Sequence, residues 1–146
     1  MNDDDLTIAA TPNVEVKGAA ACFAIGGLFL VLTGVQILGL RWYASWMNLG
    51  KWAFFALGAL TFVLGLRIFR GDARANAIGV GVAGIDALFG AGWFVLTFGA
   101  ILSLMNVLAV VVCALAAVLA IFSLKHTRRM SEARARLADE GMSLGL

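Results

Sequence analysis

Between Arg74 and Lys125 the chain runs fifty residues with one charged side chain, Asp86. A single helix of that length would be about 75 Å long at ~1.5 Å per residue, more than twice a ~30 Å hydrocarbon core. The run must therefore fold back on itself. Ser103-Leu104-Met105-Asn106 is the best place for the turn, because Ser103 or Asn106 can cap a following helix. The stretch predicts two membrane spans, near 77–102 and 107–124.

Composition points the same way. The chain is 62% hydrophobic and 14% charged, against about 45–50% and about 25% in a soluble domain. Residues 18–40 carry no charge and are long enough to span. This run exceeds the roughly 7–15 residues of a signal-peptide core, and its flank is acidic (Asp3, Asp4, Asp5), so it reads as a retained span. The next run lies between Lys51 and Arg67 and is short, about 22 Å at ~1.5 Å per residue. It spans only if both cations snorkel outward, which sets working limits of 49–69, and Arg67–Asn76 reads as the second loop. Leu38-Gly39-Leu40-Arg41 recurs as Leu64-Gly65-Leu66-Arg67, a hint of an internal repeat. The expected fold class is an all-α membrane protein, an antiparallel bundle of four transmembrane helices. Residues 1–17 read as a mobile acidic arm and 125–146 as a basic, cytoplasmic helical tail.

Four spans place the loops on alternate sides. One side receives Lys17, Arg67, Arg70, Arg74, Lys125, Arg128, Arg129, Arg134 and Arg136; the other receives Arg41 and Lys51. The basic excess marks the cytoplasmic side, so both termini are expected there, in what reads as a bacterial inner membrane. Trp42, Tyr43, Trp46 and Trp52 in and beside the first loop read as a belt at headgroup level. Lys125, Arg128 and Arg129 are expected to meet anionic headgroups, each contributing about 1 kcal/mol. Within the tail, Met130, Ala133 and Leu137 form a thin apolar stripe, read as part of a solvated helix or as a docking strip for a partner. Gly141 is expected to end that helix.

Asp86 is the sharpest functional signal. A carboxylate in the middle of a span is costly to insert, about 2.5–3.5 kcal/mol, and marks a functional-site candidate. Counting depth along the helices brings Thr61 and Cys113 to a similar level, while no Lys, Arg or His reaches it. Three roles fit: a protonated acid joining helices, a partner for a charge on another subunit, or a carrier of protons or cations in a wet pathway. On a 3.6-residue period Gly79, Ala83, Asp86, Gly90, Trp93 and Thr97 share one face of the third helix. Ala77, Gly81, Gly84 and Ala91 fall on the opposite face. Small residues let helices approach closely in lipid, so this second face is expected to pack against another copy or a partner. Ala20, Gly27 and Gly34 form a similar stripe on the first helix, and Ala109, Cys113, Ala116 and Ala120 on the fourth.

Other chemistry is excluded at this level. The single histidine, His126, lies at the basic edge, and the two cysteines, Cys22 and Cys113, sit in separate apolar runs. No metal cluster, cofactor motif or nucleophile–base pair emerges. The basic tail lacks interleaved aromatics, so nucleic acid is not an expected partner. The expected partners are the lipid bilayer and a second copy or another membrane protein. The function expected is that of a non-enzymatic subunit or accessory component of an oligomeric membrane complex. The alternative is a small oligomeric transporter or channel for protons or small cations that uses Asp86.

Overall fold

The structure, a computed structural model, describes residues 7–8, 11–39, 45–96 and 104–139, and gives the backbone alone at 39 and 45–48. Four helices account for most of them: α1 (Val14–Gly39), α2 (Ser45–Phe69), α3 (Ala73–Leu96) and α4 (Leu104–Asp139). All four are long and apolar enough to cross a membrane.

The ends of these helices follow from local chemistry. Asn13 caps α1: its Oδ1 accepts the Val16 N–H at 2.9 Å. The helix therefore starts inside the segment expected to be a mobile arm, and Val16 is fully buried. The expected loop from Arg67 to Asn76 shrinks to three residues, Arg70, Gly71 and Asp72. Gly71 takes a φ of 77° and ends α2. Its N–H donates to the Ile68 carbonyl at 2.8 Å, and the Asp72 N–H donates to Arg67 at 3.1 Å, the paired bonds of a Schellman cap. Asp72 then caps α3, accepting the Arg74 and Ala75 N–H groups at 2.9 and 3.0 Å. Its second oxygen pairs with Arg67 at 2.9 Å. The signal was a glycine followed by a capping acid, and the charges around it disguised two helix ends as one loop.

Packing is closest between α1 and α2, where the Ala20–Gly27–Gly34 stripe meets glycines of α2. A Cβ on Gly27 would stand 2.6 Å from the Gly58 carbonyl oxygen, and one on Gly65 3.0 Å from the Ala20 oxygen. One on Gly34 would stand 3.2 Å from the Lys51 oxygen. Backbone therefore lies against backbone along this seam. Helix α4 packs on α1 and on α3, and its buried face runs through Ala109, Cys113, Ala116 and Ala120. That face continues unbroken into Ser123, Thr127, Met130, Ala133 and Leu137. The tail is thus one helix with the fourth span, about 54 Å long at ~1.5 Å per residue. Its apolar stripe is neither solvated nor left open for a partner, because all three of its residues are buried by this chain. Met130 and Arg134 lie over Gly71 in the α2–α3 turn.

Two apolar cores result. One gathers Val16, Phe23, Leu64, Ile68, Ala83 and Ala116 near the α2–α3 turn. The other gathers Leu30, Ile37, Phe54, Trp93, Ala109 and Cys113 toward the opposite end. In the second core the gap between α2 and α3 is filled by rings, Phe54 lying edge-on to Phe89 at 5.0 Å and to Trp93 at 5.5 Å. Outside, Ile25, Leu28, Leu60, Val63, Ile85, Leu88, Val111 and Phe122 are among many bulky apolar side chains left exposed.

Candidate functional site

Asp86 stands between the two cores. It follows Ala83 of the first and precedes Trp93 of the second along α3, and Thr61 holds the same position between Leu64 and Phe54 on α2. The face on which the sequence places it is the buried one: Gly79, Ala83, Asp86, Gly90 and Trp93 all point inward. Gly79 is small because Phe23 reaches across from α1 and would lie 2.8 Å from a Cβ there. Thr97, assigned to the same face, lies outside the described residues.

Thr61 and Asp86 are both fully buried, and the Thr61 hydroxyl donates to Asp86 Oδ2. Asp86 Oδ1 has no hydrogen-bond partner among the described residues, and no cation among them pairs with the carboxyl. Cys113, the third member of the expected set, is also fully buried. It turns toward α1 instead, where a Cβ on Gly26 would stand 3.0 Å from its sulfur. The structure thus joins two of the three expected residues by a bond and places the third in the neighbouring apolar core.

Two more polar ties cross between α3 and α4, and sequence reasoning missed both. Asn76 is fully buried, and its Nδ2 donates to Ser123 Oγ at 2.9 Å and Thr127 Oγ1 at 3.0 Å. Both hydroxyls donate in turn to carbonyls of their own helix, at 3.0 to 3.2 Å, and so present lone pairs to the amide. Stepping back three residues from Gly79 along the inward face would have reached Asn76. The Arg67–Asn76 loop assignment hid that step. At the other end Asn106 Nδ2 donates to the Gly90 carbonyl oxygen at 3.2 Å. The expected capping role for Asn106 is therefore replaced by a bridge to α3. Ser103 lies outside the described residues.

The opposite face of α3 points outward as a set. Ala77, Gly81 and Ala91 are exposed and Gly84 is half-exposed. Among the described residues no atom would lie within 4 Å of a Cβ on Gly81, Gly84 or Gly92. Lys125, Arg128 and Arg129 are exposed on α4, beside Ile121 and Glu132. Trp52 is exposed, with Lys51 Nζ 5.6 Å from its ring centre. Trp42 and Tyr43 lie outside the described residues, as does the side chain of Trp46.

A lone carboxyl with one hydroxyl donor can hold a proton or accept one further donor. Among the described residues no three His, Cys, Asp or Glu side chains come together to hold a metal. No family model matches the chain, and comparison with curated proteins and with solved structures finds no match.

Proposed function

We propose that this chain is a non-enzymatic integral membrane protein, an antiparallel bundle of four transmembrane helices that serves as a subunit or accessory component of an oligomeric membrane complex. The antiparallel arrangement is supported by the α1–α2 seam, where Ala20, Gly27 and Gly34 meet Gly65, Gly58 and Lys51 in reverse order. Membrane residence is supported by the bulky apolar side chains exposed along all four helices. Assembly is carried by one observation: the small outward face of α3 is bare, with no atom of the described residues near a Cβ on Gly81 or Gly84. Lipid tails fill such a shallow groove poorly and a second helix fills it well, so the occupant is another copy or a partner subunit. Gly81→Leu and Gly84→Leu test this directly. Both variants should fold, since the new side chains point away from the core, and should run as smaller species in detergent and in crosslinked membranes. Wild-type oligomer size in both variants, or a wild-type monomer, overturns the reading.

Asp86 Oδ1, without a hydrogen-bond partner among the described residues, supports a second reading, in which the carboxyl exchanges protons or small cations along an oligomeric pathway. Vesicles reconstituted with wild type and Asp86→Asn separate the two. Flux lost in the variant supports transport, and the absence of Asp86-dependent flux of protons or monovalent cations removes it.

A further inference from the structure

Where α1 begins and α2 ends, a cavity of about 770 Å³ opens against α4, and its wall is strongly cationic. Lys17 comes from α1, Arg67 from the end of α2, Arg70 from the α2–α3 turn, and Arg134 from α4. Among the described residues the sole carboxylate in the wall is Asp72, and it is already engaged by Arg67 and by the first N–H groups of α3. Among the described residues neither Lys17 nor Arg70 has a carboxylate within ion-pair distance. The wall is also held in place. Arg134 donates to the Arg70 carbonyl oxygen, and the Schellman cap at Gly71 fixes the backbone between them. Four cations from three helices and the α2–α3 turn thus converge on one space, with Ser131 adding a hydroxyl.

A cavity with this balance suits a compact anion with several acceptor oxygens, and arginine forks fit phosphate in particular. We propose that it binds a phosphate-bearing anion supplied by an acidic phospholipid headgroup. The apolar approach favours lipid over a soluble phosphate. Phe69 lines the cavity, and Phe62, Leu66 and Phe69 fall at i, i+4 and i+7 on α2, 41%, 51% and 55% exposed. They form a track along which an acyl chain can lie while its headgroup enters among the cations. The residues differ from Lys125, Arg128 and Arg129, which stand on another side of α4 around a separate depression.

The lipid assignment rests on the membrane reading, and the test keeps the two apart. Wild type, Lys17→Gln with Arg70→Gln, Lys17→Arg with Arg70→Lys, and Lys125→Gln with Arg128→Gln are placed in nanodiscs of phosphatidylcholine with a minority of phosphatidylglycerol. Bound lipid is read by native mass spectrometry. Wild type should retain phosphatidylglycerol selectively. The Lys17–Arg70 glutamine pair should lose that preference by about fivefold per cation removed. The charge-preserving pair should keep it, and the Lys125–Arg128 pair should lose less of it than the Lys17–Arg70 glutamine pair. An equal loss in the Lys125–Arg128 pair, or no preference in wild type, overturns the lipid site. A second arm follows melting of detergent-solubilised protein with inorganic phosphate. Stabilisation by phosphate that the glutamine pair abolishes, without lipid preference, keeps the anion site and overturns its lipid source. No response to either ligand overturns the site altogether. A chain that stays soluble without detergent sinks the membrane reading, while the phosphate arm still reads the cavity.

Discussion

Thr61 and Asp86 are both fully buried, so neither can replace the other with solvent. Thr61→Val removes the hydroxyl that Asp86 Oδ2 accepts and leaves both carboxyl oxygens without a donor. The expected cost is about 0.6–1.7 kcal/mol, the span measured for hydrogen bonds between helices in an apolar setting. Reversible unfolding in mixed detergents checks it, and an unchanged midpoint would show that the bond contributes nothing. Asp86→Asn should retain most of the stability, because an amide oxygen still accepts from Thr61. Asn76→Ala should cost about 1–2 kcal/mol, since the interhelical bonds to Ser123, Thr127 and the Ala120 carbonyl are lost while Ser123 and Thr127 keep their own carbonyls. At this scale legibility depended on contrast. Asp86 stood out as a single carboxylate in an apolar run, and Thr61 was reached by counting depth. Asn76 has the same inward placement but borders arginines, and hydropathy alone assigns such a position to a loop. The Thr61 bond itself could not be read, because it joins residues on different helices whose rotation the sequence does not set.

The helices were legible where small residues recur on a 3.6-residue period, because only such a stripe permits the α1–α2 seam. Gly27 and Gly81 make the contrast measurable. Both are helical glycines in apolar runs, yet a Cβ on Gly27 strikes backbone at 2.6 Å and one on Gly81 meets nothing. Gly27→Ala should therefore force α1 and α2 apart, costing about 1–3 kcal/mol or more as an overpacked contact. In the monomer Gly81→Ala should be neutral or stabilising by up to about 1 kcal/mol, because alanine is the better helix former. Thermal unfolding of the two variants side by side checks the ordering, and equal losses would contradict it. Gly71→Ala belongs to the same scale. The residue needs φ of 77°, which costs a residue with a Cβ about 1–2 kcal/mol, and the terminal methyl of Met130 above it must also shift. The length of α4 was less legible. Its charged tail matched a solvated helix as well as a docked one, and only its packing on the rest of the chain buries Met130, Ala133 and Leu137, with Met130 over the α2–α3 turn.

For the whole molecule the open question is orientation, and the geometry constrains it. The start of α1, the end of α2 and the far part of α4 all line one cavity, through Lys17, Arg67, Arg70 and Arg134. These three helix ends must therefore lie on the same side of any bilayer the helices cross. An even number of crossings follows between Lys17 and Arg67 and again between Arg67 and Arg134, which fits four spans. Of the ten Lys and Arg residues the structure describes, nine fall to this side with four crossings, leaving Lys51 for the other. Cations flanking short loops are retained in the cytoplasm, so this end should face inward. Reporters fused at Met1 and Leu146 should both read cytoplasmic, and one inserted at Met47 should read external. A cytoplasmic signal from Met47 with external termini would invert the bundle but keep the four crossings. Termini on opposite sides would be incompatible with a single cavity lined by Lys17 and Arg134, and would overturn the packing of the α4 tail against the α2–α3 turn.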